Sequence, residues 1–215
     1  FMERVVDAGI DFIRISMIGY NKEKYKLWMN IDNFELIKKN IIALKKYIKK
    51  TGSKCQVSTY PLITDNNKLD FEVEEYKRLI SEFGCKAYIW KMHNFSGNYN
   101  NDVNPRLKTK RKTCGRPFAD ELTVRAGGLN GQMASVTACC QTLGPPNESK
   151  SVMGHLDTET FEEVYFGERY QHLRKVHKEG KFDELDYCKD CDYLYDEPES
   201  LVWTNDKNFT PGQML

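Results

Sequence analysis

The chain has 215 residues, of which 40% are hydrophobic and 29% charged, with 32 basic and 31 acidic side chains giving a formal net charge of +1. That length can bury a sizeable core without disulfide staples, and so even a charge balance favours neither a nucleic acid nor an anionic membrane surface as partner. No run approaches the roughly 18 apolar residues of a membrane span, the start "FMERVVDAGI" lacks the layout of a signal peptide, and the seven cysteines are an odd number for a disulfide framework. The expectation is a cytoplasmic protein holding reduced thiols or metal thiolates.

The first residues read as the end of an amphipathic helix, with Met2, Val5 and Val6 on one side and Gly9 stopping it, as in a piece whose beginning lies elsewhere. Residues 10–18, "IDFIRISMI", form a short isoleucine-rich run of the kind found in a buried parallel strand. In "NFELIKKNIIALKKYIKKTG" the apolar Phe34, Ile37, Ile41, Leu44 and Ile48 recur at spacings of three and four, and Gly52 ends the pattern. "KCQVSTYPLI" reads as a second strand. "DFEVEEYKRLISEFG" reads as a second helix with Phe71, Val73, Tyr76, Leu79 and Ile80 inward, and "CKAYIWKMHNF" as a third strand. Strands alternating with helices predict a parallel sheet covered by helices.

The pattern breaks over residues 96–111, "SGNYNNDVNPRLKTKR", which are polar and without apolar periodicity, so a domain boundary is expected between 104 and 105. The basic part of this stretch reads as a solvated loop. Beyond it, "ELTVRA" and "QMASVTACC" flank the glycine-rich "GGLNG" as a β-hairpin. Two helical stretches follow, "TETFEEVYFG" with Thr158 as the expected cap and "ERYQHLRKVHKEG" ending at Gly180. On the latter, His172, Arg174 and His177 read as structural, with Arg174 or His177 serving the helix dipole. His93 and Asn94, closing the third strand, read as caps.

Cys188 and Cys191 form a C-x-x-C turn that points two sulfurs at one place. Cys114 precedes the hairpin and Cys139 or Cys140 ends it, so antiparallel pairing brings a second pair of sulfurs together. Three uses fit this arrangement: buried packing thiols, a four-thiolate zinc site, or a four-thiolate [4Fe–4S] cluster. Spacing does not separate the two metal readings. Cys55 and Cys85, each alone at the start of a strand, read as packing residues.

Wider words carry more information. "CGRPFADELTVRAGGLNGQMASVTACC", "MGHLDTETFEEVYFGERYQHLRKVHKEG" and "YCKDC" closely resemble the SPASM or twitch domain that follows the barrel of radical S-adenosylmethionine enzymes. "GIDFIRISMIGYNKEKY" resembles a strand in the middle of that barrel. The resemblance implies an α/β fold: the second half of a partial (β/α)6 barrel over residues 1–104, then a small α+β twitch/SPASM-like domain with a hairpin and helices over residues 105–215. It implies one auxiliary [4Fe–4S] cluster held by Cys114, Cys139, Cys188 and Cys191, with Cys140 able to exchange roles with Cys139; the later cysteines of a full SPASM pattern do not follow Cys191.

The family's C-x-x-x-C-x-x-C motif does not occur in this sequence, so the chain as given is expected to generate no radical. A second [4Fe–4S] cluster and S-adenosylmethionine would belong to a longer parent enzyme, and Ser16 stands where relatives have a serine near S-adenosylmethionine. The resemblance further implies a peptide or small sugar or cyclitol as substrate, an external electron donor such as flavodoxin or ferredoxin, and an auxiliary cluster that accepts an electron from the substrate radical. The competing expectation is a zinc-stabilised module with no redox role.

Overall fold

A computed structural model describes residues 1–97, 114–127, 132–142, 150–192 and 201–209. It is mixed α/β and divides into two compact units, Phe1–Met92 with Glu199–Leu215, and His93–Pro198. The boundary expected at 104/105 differs from this division at both ends. Residues 93–97 belong with the second unit, and the tail returns to the first as a strand that the sequence reading did not foresee.

In the first unit a short helix α1 (Met2–Asp7) leads to strand β1 (Phe12–Met17), helices α2 (Lys22–Met29) and α3 (Phe34–Thr51), strand β2 (Gln56–Ile63), helix α4 (Leu69–Phe83) and strand β3 (Lys86–Lys91). The three strands are parallel, with Phe12 opposite Gln56 and Ser58 opposite Lys86, as the strand–helix alternation requires. Strand β7 (Leu201–Thr204) then adds antiparallel beside β3, giving the order β1-β2-β3-β7. Its corner is fixed by Asn205 and Asp206. Asn205 Oδ1 accepts from Ala87 N at 2.8 Å, and Asp206 Oδ2 accepts from Tyr88 Oη at 2.6 Å and pairs with Lys86 at 2.9 Å.

The apolar stripes of α3 and α4 supply much of this unit's core: Phe34, Ile41, Leu44 and Ile48 from one, and Val73, Tyr76, Leu79, Ile80 and Phe83 from the other. Phe71 departs from the inward set expected of it. It is 53% exposed, and its ring meets the edge of Tyr20: at roughly 100° per residue it lies about 140° round the helix from Tyr76, while Glu72 and Val73 in the same turn are buried. Tyr76 is fully buried; its hydroxyl donates to the Leu62 carbonyl at 3.0 Å and accepts from Gly19 N at 2.7 Å. Gly19 has φ of 112°, and a Cβ there would lie 2.2 Å from Tyr25 N, so the turn between β1 and α2 admits only glycine.

Cys55 and Cys85 are buried just ahead of β2 and β3. The Cys85 thiol lies 4.0 Å from Thr59 Oγ1. Both act as small core side chains. No described helix is long and apolar enough to cross a membrane.

The second unit is built on shorter elements. Strands β4 (Thr123–Arg125) and β5 (Ser135–Thr137) pair antiparallel, Thr123 opposite Thr137, as the hairpin expectation required. The tip of its glycine-rich loop and the linker from residue 98 onward lie outside the described residues. A third strand, β6 (Val152–His155), pairs with β5 and escaped the sequence reading, being four residues long with a glycine inside. A Cβ on Gly154 would lie 2.7 Å from Val164 Cγ2, so the glycine lets the next helix pack directly on the strand.

That helix, α5 (Phe161–Tyr165), is capped by Thr160 and not by Thr158. Thr160 and Glu163 form a reciprocal capping box, Glu163 N donating to Thr160 Oγ1 and Thr160 N to Glu163 Oε2. Helix α6 (Glu168–Glu179) ends at Gly180. Its inward residues Tyr170, Leu173 and Val176 pack with Val136, Ala138, Met153, Leu185 and Tyr187.

Candidate metal centre

Four of the seven cysteines converge in the second unit. Cys114 lies two residues before a 3-10 turn, Arg116–Phe118. Cys139 follows β5, and its carbonyl accepts from Thr142 N, Thr142 Oγ1 and Thr137 Oγ1. That bonding fixes the tight turn at the strand end. Cys188 and Cys191 sit on successive turns after α6, with Cys188 N donating to Leu185 O and Cys191 N to Cys188 O.

All four side chains line one cavity, together with Ala138, Pro117, Leu173, His177 and Tyr187. Cys114 and Cys188 pack against Cys191 and Phe182. The tandem cysteines therefore divide: Cys139 faces the cavity, whereas Cys140 is exposed and its sulfur accepts from Arg116 Nη1 at 3.3 Å. Among the described residues no group of three or more histidine, cysteine or acidic side chains stands close enough to hold a single metal ion.

The donor chemistry suits a soft metal or a cluster. The cavity presents four sulfurs on a largely apolar wall, and among the described residues no carboxylate lines it. Burial pushes the Cys139 thiol up to about 11 and drives Cys188 higher still, the neighbouring sulfurs adding to the effect. Thiols in such surroundings release their protons to a metal and not to water.

The C-x-x-C turn is held by a polar clamp with no motif of its own. Asn94 N donates to Asp192 Oδ2 at 2.7 Å, Asn94 Nδ2 donates to Asp190 O at 2.7 Å, and Asp192 N returns a bond to Asn94 Oδ1 at 3.2 Å. Ser96 Oγ bonds the Tyr187 carbonyl. Gly97, with φ of 82°, leaves room where a Cβ would lie 2.7 Å from Asp190 Cβ. Asn94 thus anchors the turn that carries two sulfurs, a larger part than strand capping. Its signal in sequence is faint: a lone "HNFSG" after a strand.

The histidines behave as structural groups. Burial lowers His177 to about 4, and its ring meets Phe182 edge-on; as a neutral imidazole it lends no charge to the helix end, contrary to the dipole role expected of it. Burial also lowers His93, with Asp192 acting in the opposite direction. His172 is exposed. Ser16 is in the first unit, exposed on β1 and in register with Tyr60.

Residues 130–192 match the SPASM family, described as an iron–sulfur cluster-binding domain. Cys139, Cys188 and Cys191 fall within the match and Cys114 precedes it. No curated protein matches the chain. Among solved structures, the crystal structure of BtrN in complex with AdoMet and 2-DOIA aligns over 94% of this chain and 82% of that one at 16% identity, with a TM-score of 0.39; agreement that loose transfers neither fold nor ligands. The match over residues 130–192 agrees with the resemblance read from the sequence in its densest part: this segment is similar to SPASM iron–sulfur cluster-binding domains.

Proposed function

We propose that the second unit binds one auxiliary [4Fe–4S] cluster through Cys114, Cys139, Cys188 and Cys191, and that the chain is the C-terminal portion of a radical S-adenosylmethionine enzyme. One observation carries the reading: four cysteines from three separated stretches of sequence wall a single cavity, three of them within the segment that matches an iron–sulfur domain. Bound there, the cluster supplies one-electron acceptance during oxidation of a substrate. With four protein thiolates it has no vacant position for substrate. The protein's part is to exclude water with Leu173, Ala138, Pro117 and Tyr187, and to hold the sulfurs through the Asn94–Asp192 clamp and the Cys139 turn.

The first unit is read as the second half of a partial (β/α)6 barrel, with the exposed Ser16 on β1 near the S-adenosylmethionine site. The second is read as the twitch form of the auxiliary domain. A second [4Fe–4S] cluster and S-adenosylmethionine complete the parent enzyme, whose substrate is a peptide or a small sugar or cyclitol and whose electron donor is a flavodoxin or ferredoxin in the cytoplasm.

The test is anaerobic reconstitution of the full chain with iron and sulfide. About four irons per chain and broad brown absorption are expected, with no cleavage of S-adenosylmethionine. About eight irons would overturn the single-cluster assignment. A colourless protein that retains one zinc through purification would replace it with the zinc-stabilised module.

A further inference from the structure

Helix α6 places a cation in the interior of the second unit, and among the described residues nothing of opposite charge meets it. Arg174 is 9% exposed. Its Nε donates to the Pro117 carbonyl at 2.9 Å and its Nη1 to the Tyr165 carbonyl at 2.6 Å, while the guanidinium lies over the rings of Tyr165 at 4.1 Å and Tyr170 at 4.7 Å. The remaining nitrogen, Nη2, is buried without a hydrogen-bond partner. Among the described residues no carboxylate is within ion-pair distance of Arg174. Asp120, one acidic group nearby, lies against the Tyr165 hydroxyl instead.

A buried charge is costly unless something compensates it. Two carbonyls and two ring faces offset part of that cost, and a lost carboxylate partner would ordinarily select against arginine here. The thiolate cavity lies one layer away. Pro117, whose carbonyl Arg174 holds, lines it, as does Leu173, the neighbour of Arg174 on α6. The hydroxyl of Tyr170 feels both the Arg174 guanidinium and the Cys139 sulfur. Four thiolates around an iron–sulfur core make a net anion, more so once it has taken an electron.

We propose that Arg174 is the fixed counter-charge of the four-thiolate site, stabilising the more negative, reduced state of the bound cluster and so raising its reduction potential. The proposal rests on the single-cluster reading above and assigns Arg174 a role beyond packing. Arg116, the charged side chain on the cavity wall itself, engages Cys140; Arg174, behind the wall, is shielded from solvent, and its charge is therefore the less screened of the two.

The experiment is a potentiometric titration of the reconstituted full chain, followed by visible absorption and electron paramagnetic resonance, on the parent, Arg174→Gln and Arg174→Lys. Arg174→Gln, keeping a hydrogen-bonding side chain without the charge, is expected to bind iron and to show at least a tenfold lower reduced-to-oxidised ratio at a given potential, about 59 mV for one electron. Arg174→Lys, which keeps the charge and loses the planar fork, should stay near the parent. A Gln variant with full iron and an unmoved potential overturns the proposal, as does a Lys variant displaced as far as Gln. If Gln fails to retain the cluster, retention by Lys still assigns the effect to charge, and equal loss in both assigns it to packing and overturns the proposal. A parent chain that binds no cluster sinks the underlying reading, whereas a parent that binds it with an indifferent Arg174 sinks this inference alone.

Discussion

The two units solve the burial problem differently. The first packs long amphipathic helices against a sheet, and its two cysteines disappear into that packing. The second has strands of three and four residues, and part of its interior is given over to a cavity walled by sulfur. It also buries Arg174, His177 and Asp192, whereas the charged side chain buried in the first unit, Glu72, is bonded to Thr64 N and Oγ1. With a cluster bound in that cavity, as proposed, the ligand would itself be part of this unit's core. The first unit should therefore be stable on its own contacts and the second should depend on metal.

The largest expected effect follows directly. Binding energy in metal-dependent sites becomes folding energy, on the order of 10 kcal/mol for structural metals. Stripping metal from the full chain with a chelator should abolish hydrogen-exchange protection around residues 135–142 and 185–192 while β1, β2 and β3 keep theirs. Equal loss in both units would mean that they form one cooperative structure, and unchanged protection in both would remove the metal from the folding argument.

Next in size is the choice between the tandem cysteines. Cys139→Ser should lose most of the bound iron and Cys140→Ser should keep it, since only the former side chain reaches the cavity. Comparable loss in the two variants would show that the pair is interchangeable and that the Arg116 contact at Cys140 does not fix the choice.

A finer comparison uses two glycines with nearly the same backbone. Gly9 and Gly97 have φ of 83° and 82°, but a Cβ on Gly9 meets nothing within 4 Å, whereas on Gly97 it strikes Asp190. Alanine at either position carries the strain of a left-handed residue, roughly 1–3 kcal/mol. Only Gly97→Ala should also loosen the C-x-x-C turn, seen as earlier bleaching of cluster colour on heating. Identical bleaching in the two variants would separate the clamp from cluster retention.

Much of the first unit was legible because period and punctuation agree there: the apolar residues of α3 and α4 repeat at helical spacing and glycine ends both helices. Phe71 does not join the inward set because it stands roughly 140° round the helix from Tyr76, a place that the buried Glu72 and Val73 leave facing outward. Strand β7 was missed because four residues after an irregular tail have no periodicity of their own; their place is set by β3 and by Asn205 and Asp206. In the second unit the cysteines could be read, since their chemistry is distinctive. The clamp of Asn94, Ser96 and Asp192 could not, because it joins residues nearly a hundred apart by side-chain hydrogen bonds. Arg174 was read as a helix-end charge, and only burial shows that it faces inward.

The smallest effect concerns β7 and acid. Asp206 is held down to about 2 by the hydrogen bond from Tyr88, then by Lys86 and the Asn208 N–H. A carboxylate depressed on folding contributes stability that is fully present above its ordinary value of 3.8 and fades as pH falls through about 2. Asp206→Asn should therefore weaken amide protection across Leu201–Thr204 by a constant amount from neutral pH down to the ordinary carboxylate range. The gap to the parent should then close as acid protonates the parent's own Asp206. The second unit provides the contrast, because loss of its metal in acid would erase protection around Cys188 and Cys191 whatever stands at position 206. A gap at β7 that persists undiminished to the lowest pH would mean that the strand is held by its ladder to β3 and by Asn205, with the Asp206 charge contributing nothing.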